Sequence, residues 1–148
     1  MKLSTKTRYG TRALLDLALH HNEEPVVLRD IANRQQISLS YLEQLIAPLI
    51  AGGILRSVRG TGGGVALVKD INNIKMIEVV KLLQGSIAPT ECVNNPEVCI
   101  RSSFCVTRDV WSELERAINK VLESTTLRDL VERQRQKRHS QEAIEYQI

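Results

Sequence analysis

Apolar residues recur along the start of this chain at helical intervals. Between Thr5 and His20, Tyr9, Ala13, Leu14, Leu17 and Ala18 fall on one side and Lys6, Arg8, Arg12 and Asp16 on the other, which predicts an amphipathic first helix. After Pro25, Leu28, Ile31 and Ala32 repeat the spacing and predict a short second helix ending near Gln35. The stretch SLSYLEQLIAPLIAGG predicts a third, with Leu42, Leu45, Ile46 and Leu49 as its buried face. Ser40 and Glu43 stand in the Ser-x-x-Glu relation of a capping box, in which each side chain satisfies an orphaned amide at the helix start. Pro48 has no amide hydrogen to give, so a kink or an early end is expected there. Gly52 and Gly53 suit the close of the helix.

The period then shortens. Ile54 to Val58 and Val65 to Val68 are rich in β-branched and aliphatic residues and flank Gly60, Gly62, Gly63 and Gly64, which predicts a hairpin with a flexible tip. A phosphate-cradling loop is the weaker reading, because the Gly-Lys-Ser/Thr ending is missing and the glycines lead into a strand. Helix, helix-turn-helix and glycine-tipped hairpin in this order predict a winged helix-turn-helix DNA-binding domain over residues 1–69, mostly α with a small β-hairpin wing. In it Ser38, Ser40, Tyr41, Glu43 and Gln44 would face a major groove. Arg56 and Arg59, beside Gly60 and Thr61 at the tip, would reach phosphates or a minor groove.

In the second half, Ile77, Val80 and Leu82 or Leu83 predict a helix from Lys75 to Gln84, closed by Gly85. Further on, Val110, Leu114, Ala117 or Ile118 and Val121 mark a long amphipathic helix over 108–122. It carries more apolar face than one neighbour could cover, so a partner chain is expected on it, with Trp111 packed at the contact. A two-fold homodimer would present two winged helices to a palindromic double-stranded operator. A threonine cap and a short helix with Leu127, Leu130 and Val131 follow. Residues 70–131 thus read as dimerisation helices with a cysteine loop at 91–105, and residues 132–148 as a polar, frayed or disordered tail.

Charge sharpens this reading. The net charge of +3 is concentrated: residues 1–69 hold nine basic against five acidic side chains, the remainder eleven against twelve. Positive charge confined to the winged half suits a polyanion. There is no apolar run long enough for a membrane span and no signal-like segment, so a cytoplasmic protein is expected. His20, His21 and His139 stand apart from any nucleophile or paired carboxylates, so enzyme chemistry is not expected.

All three cysteines lie in ECVNNPEVCIRSSFC, as Cys92, Cys99 and Cys105. An odd count argues against a disulfide framework. Structural zinc usually has four ligands and one tight Cys pair, and neither gap is that short. A redox pair of thiols without metal is a further reading. An iron-sulfur cluster tolerates wider spacing, because its thiolates wrap a larger object. Spacing alone leaves zinc, bare thiols and a cluster open.

MKLSTKTRYG at the start, ISLSYLEQL in the third helix, SVRGTGGG at the wing and the three cysteines ahead of a tryptophan helix together resemble the IscR-type family of iron-sulfur cluster regulators, whose relatives include the nitric-oxide sensor NsrR. The resemblance spans the chain. It implies a dimeric transcription regulator with a [2Fe-2S] cluster, less readily [4Fe-4S] or zinc, that controls cluster-assembly genes and receives its cluster from the assembly machinery. It also implies that Cys92, Cys99 and Cys105 are ligands. The family's histidine ligand, three positions after the last cysteine, is here Arg108, which has no lone pair to donate. Asp109, Glu97 and Glu91 are the nearby candidates for a fourth ligand. The first-helix position that supplies a carboxylate in some relatives is Arg8, which cannot serve.

Overall fold

Helix α1 (Thr5–His20) occupies the predicted span and is started by Ser4, whose Oγ accepts the Thr7 amide at 3.0 Å. The fold is that of a computed structural model that describes residues 2–61 and 63–147, so the wing glycine Gly62 lies outside the described residues. α2 (Leu28–Gln35) ends in Gln36, a non-glycine residue at φ 55°, and the chain turns through it into α3 (Leu39–Ala51). α3 buries Leu42, Leu45, Ile46 and Leu49 as its spacing predicts. Its cap is Ser38, whose Oγ accepts the Tyr41 amide at 3.1 Å. The capping box expected at Ser40 is therefore corrected: Ser40 already lies in the first turn, and the extended backbone that a cap requires belongs to Ser38. Pro48 does not end the helix early. Leu49 beyond it is buried, and the Gly52 amide closes on the Pro48 carbonyl at 2.9 Å.

Strands β1 (Leu55–Val58) and β2 (Gly64–Leu67) pair antiparallel, Leu55 opposite Leu67 and Val58 opposite Gly64. Val26 and Val65 exchange backbone hydrogen bonds of 2.9 Å, strapping the α1–α2 link to the hairpin. The chain passes so close that a Cβ on Gly64 would collide with the Val26 carbonyl.

α4 (Met76–Gln84) packs on α1 and α3. A one-turn helix α5 (Glu91–Asn94) and the long α6 (Val106–Ser124) follow, and α7 (Leu127–Tyr146) returns to α1. The Met76 amide bonds the Thr125 carbonyl at 2.9 Å and the Leu127 amide bonds the Ile74 carbonyl at 2.8 Å, tying the α6–α7 junction to the start of α4. One buried cluster joins Leu14, Leu17, Ile31, Leu49 and Leu55 to Ile74, Val79, Leu127 and Val131, so the division placed at Lys69 is not a break in the core. Leu14 is fully buried, and Leu14→Ala should lower unfolding free energy by about 3 kcal/mol, read as a reduced denaturant midpoint at unchanged slope.

Two further features depart from the periodicity argument, and a third, on α6, is the uncovered apolar face it expects. Asp16, assigned to the polar side of α1, is 4% exposed. Arg34 donates to it at 2.7, 3.0 and 3.1 Å and Gln35 at 2.8 Å, and this hydrogen-bonded carboxylate raises the Arg34 pKa further. Burial of the charge is tolerated because its lone pairs are satisfied. The tail expected to fray is instead helical to Tyr146: Thr126 and Asp129 form a capping box at its start, and good helix formers such as Arg, Gln, Lys and Glu fill the polar stretch. Finally, α6 has no fully buried residue. Ile118 and Leu122 pack against Ile77, Val80 and Ile87, while Val106, Val110 and Val121 face outward, Val106 at 75% and Val121 at 63% exposure.

Candidate nucleic-acid interface and cysteine site

The helix-turn-helix places Ser38, Ser40, Glu43 and Gln44 on the exposed opening of α3. Tyr41 is half-buried, because its ring meets Tyr9 of α1 edge to face with centroids 6.1 Å apart. The Arg12 guanidinium lies over the other ring of that pair, 5.2 Å from the Tyr9 centroid. On the wing, Arg56, Arg59, Gly60 and Thr61 are all exposed, and Gly60 takes φ 106°, a conformation a side chain resists. Glu43 of α3 and Ser57, Val58 and Gly64 of the hairpin line one shallow hollow with Arg29 and Asp30 of α2, so the opening of α3 and the wing share a face. Periodicity passes over Arg29; its only sequence signal is an exposed cation in the first turn of α2.

The cysteine loop runs from α5 to the start of α6. Cys92 lies in α5, half-buried, with its Sγ 3.2 Å from the Thr90 hydroxyl. Cys99 follows the turn Pro96–Val98 and is exposed. Cys105 caps α6, half-buried, with its Sγ 3.1 Å from the Thr107 hydroxyl. That hydroxyl, then the Arg108 and Thr107 amides, holds the Cys105 thiol below its ordinary pKa, as expected at a helix start. Ser102 donates to the Pro96 carbonyl at 2.8 Å and keeps the loop folded, and Asn94 reaches back to Ser86.

The loop carries the right donors for an iron-sulfur cluster: three free thiols, none spent in a disulfide. They are not gathered. Among the described residues no three His, Cys, Asp or Glu side chains sit together closely enough to hold a metal ion. The candidate fourth ligands are dispersed: Glu91 opens α5, Glu97 lines a hollow with Cys99 and Arg108, and Asp109 lies exposed on α6. Arg108 shares that hollow with Cys99, and its Nε donates to the Cys92 carbonyl at 2.9 Å.

Comparison with known proteins places this arrangement. The chain is 44% identical over 131 residues to Protein rrf2 of Nitratidesulfovibrio vulgaris, covering 88% of this chain and 87% of that protein. It is 43% identical over 134 residues to the HTH-type transcriptional regulator IscR of Xenorhabdus nematophila, covering 90% and 81%. Among solved structures it is similar to CymR, the global cysteine regulator of B. subtilis, with a TM-score of 0.75, 36% identity and coverage of 89% and 97%. It is likewise similar to T. potens IscR, with a TM-score of 0.72, 40% identity and coverage of 89% and 87%. The family model Rrf2, described as an iron-dependent transcriptional regulator, matches residues 3–133. With a winged helix that presents a polar helix opening beside a basic wing, and relatives that are regulators rather than enzymes, this chain belongs to the Rrf2 family of transcriptional regulators.

Proposed function

We propose that this regulator binds a palindromic operator as a homodimer and adjusts that binding through an iron-sulfur cluster, [2Fe-2S] by preference, held by Cys92, Cys99 and Cys105. Genes for cluster assembly are the proposed targets, and the assembly machinery the proposed donor. The observation that carries this reading is the placement of every thiol of the chain on one loop that ends at the start of α6. When bound, the cluster supplies a redox- and nitric-oxide-sensitive centre whose retention depends on iron supply. The protein supplies the rest. Cys92 is tied to α6 through Arg108, and Cys105 is the cap of α6, so drawing the sulfurs together acts on the first turn of that helix from two points.

Pairing on α6 is supported by its outward stripe of Val106, Val110, Ala117 and Val121, which its own chain leaves uncovered. Leu3, Leu15, Val80, Val121 and Leu130 line an apolar groove continuous with it, giving a second copy a surface to close on. Trp111, 39% exposed on the same helix, would be covered in such a pair. Two winged helices then face one DNA, with Ser38, Ser40, Tyr41, Glu43 and Gln44 in the major groove and Arg56, Arg59, Gly60 and Thr61 at the wing.

The wing is tested by Arg59→Ala. Loss of one phosphate or minor-groove cation should weaken binding to all duplexes and reduce the salt slope by about 1. Unchanged affinity at low salt would remove Arg59 from the interface. A second reading is sensing through bare thiols or zinc; the ungathered thiols and the likeness to a cysteine regulator favour its thiol form. Anaerobic purification with iron, sulfide and zinc analysis separates the two, since a colourless protein with one zinc per chain would support the second.

A further inference from the structure

The buried carboxylate of Asp16 is the end of a chain of contacts that reaches the proposed reading surface. Gln35, the last residue of α2, donates its Nε2 to Asp16 at 2.8 Å and accepts from Arg12 Nε on its own oxygen at 3.2 Å. Arg12 is thereby held over the Tyr9 ring, its Cζ 5.2 Å from the centroid, and Tyr9 meets Tyr41 edge to face. Between Gln35 and Tyr41 lie the left-handed Gln36, Ile37 and the cap Ser38. The chain therefore grips the helix-turn-helix on both sides of its turn, at the end of α2 and in the first turn of α3, and refers both to one rigid helix, α1.

We propose that Gln35 and Arg12 are positioning residues for DNA recognition. Through Tyr9 and Tyr41 they set the angle at which α3 presents Ser40, Glu43 and Gln44 to base edges. This rests on the reading of the α3 opening as the DNA surface. Two features favour positioning over plain stability. Asp16 is already gripped by Arg34 in a fork geometry, so Gln35 adds little to neutralising it. Arg12 is an exposed side chain whose hydrogen bond and ring contact both lead toward the turn and away from the core. Arginine suits this arrangement better than lysine, because its planar guanidinium donates in a fixed direction while its face meets a ring, whereas an ammonium is a compact, strongly hydrated point charge on a flexible stem.

The test uses the full-length protein, a duplex enriched from a random-sequence pool by the wild-type chain, and a scrambled duplex of equal composition. Gln35→Ala should lower preference for the enriched over the scrambled duplex by about threefold to tenfold, the worth of one aromatic or cation–π contact, at unchanged salt slope. Arg12→Lys should do the same, since it keeps the charge and loses the stack. Equal loss on both duplexes, or no loss, overturns the positioning role. So does a silent Arg12→Lys beside an Arg12→Ala that flattens the salt slope, which would make Arg12 a phosphate contact. The double replacement Glu43→Ala with Gln44→Ala tests the surface beneath: retained preference there fails the DNA-surface reading, whereas loss there with an unaffected Gln35→Ala fails the positioning role alone.

Discussion

Replacing Cys92, Cys99 or Cys105 by alanine is expected to remove nearly all iron and visible absorption from protein purified without oxygen, while leaving a folded dimer. The two halves of this expectation have different physical origins. A cluster held by three thiolates from one loop loses a large share of its binding when one donor goes, because thiolate bonds are its principal tie to the protein. The fold is indifferent, because all three cysteines lie outside the buried clusters: Cys99 is exposed, and the sulfurs of the other two, half-buried, lie beside threonine hydroxyls. Iron and acid-labile sulfide analysis, with circular dichroism as the control, decides it. Any one variant that keeps full iron is no ligand at that position, and wild-type protein devoid of iron and sulfide would end the cluster reading altogether.

The second large effect is expected on α6. Changing Val110 and Val121 together to glutamate places two charges on the stripe that this chain leaves bare. Within one chain the cost is small, since both side chains already face outward. Across a pair it is large, because four carboxylates would meet in an apolar contact without partners. Sedimentation equilibrium should therefore report monomer in place of dimer. Affinity for a palindromic duplex should fall by about 10²- to 10⁴-fold, the advantage that tethering one half-site reader to another confers. A variant that stays dimeric would move the interface away from α6.

The cysteine loop and the buried carboxylate show where residue patterns stop informing. The three thiols announce themselves by clustering in sequence, yet their sulfurs are not brought together, because the short turns at Pro96–Val98 and Ser102–Phe104 space them along the loop. Arg108 is spent on the Cys92 carbonyl, a contact across sixteen residues with no local signature. Asp16 misleads in the other direction. One carboxylate on a helix reads as solvated until the guanidinium and the amide that satisfy it, eighteen and nineteen residues away, are known.

What the residues by themselves determine is the list and type of elements. Helix spans such as Thr5–His20 and Leu28–Gln35, the buried face Leu42, Leu45, Ile46 and Leu49, and the hairpin closed over glycines follow from periods of 3.6 and 2 and from local turn chemistry, which are short-range. What only the tertiary structure decides is which polar groups meet. The Asp16–Arg34–Gln35 grip, the Arg12–Tyr9–Tyr41 contacts, the strap between Val26 and Val65 and the bare stripe on α6 depend on how segments far apart in the chain meet. Crossing is settled by the summed packing of the whole core, and no window of neighbouring residues contains that sum.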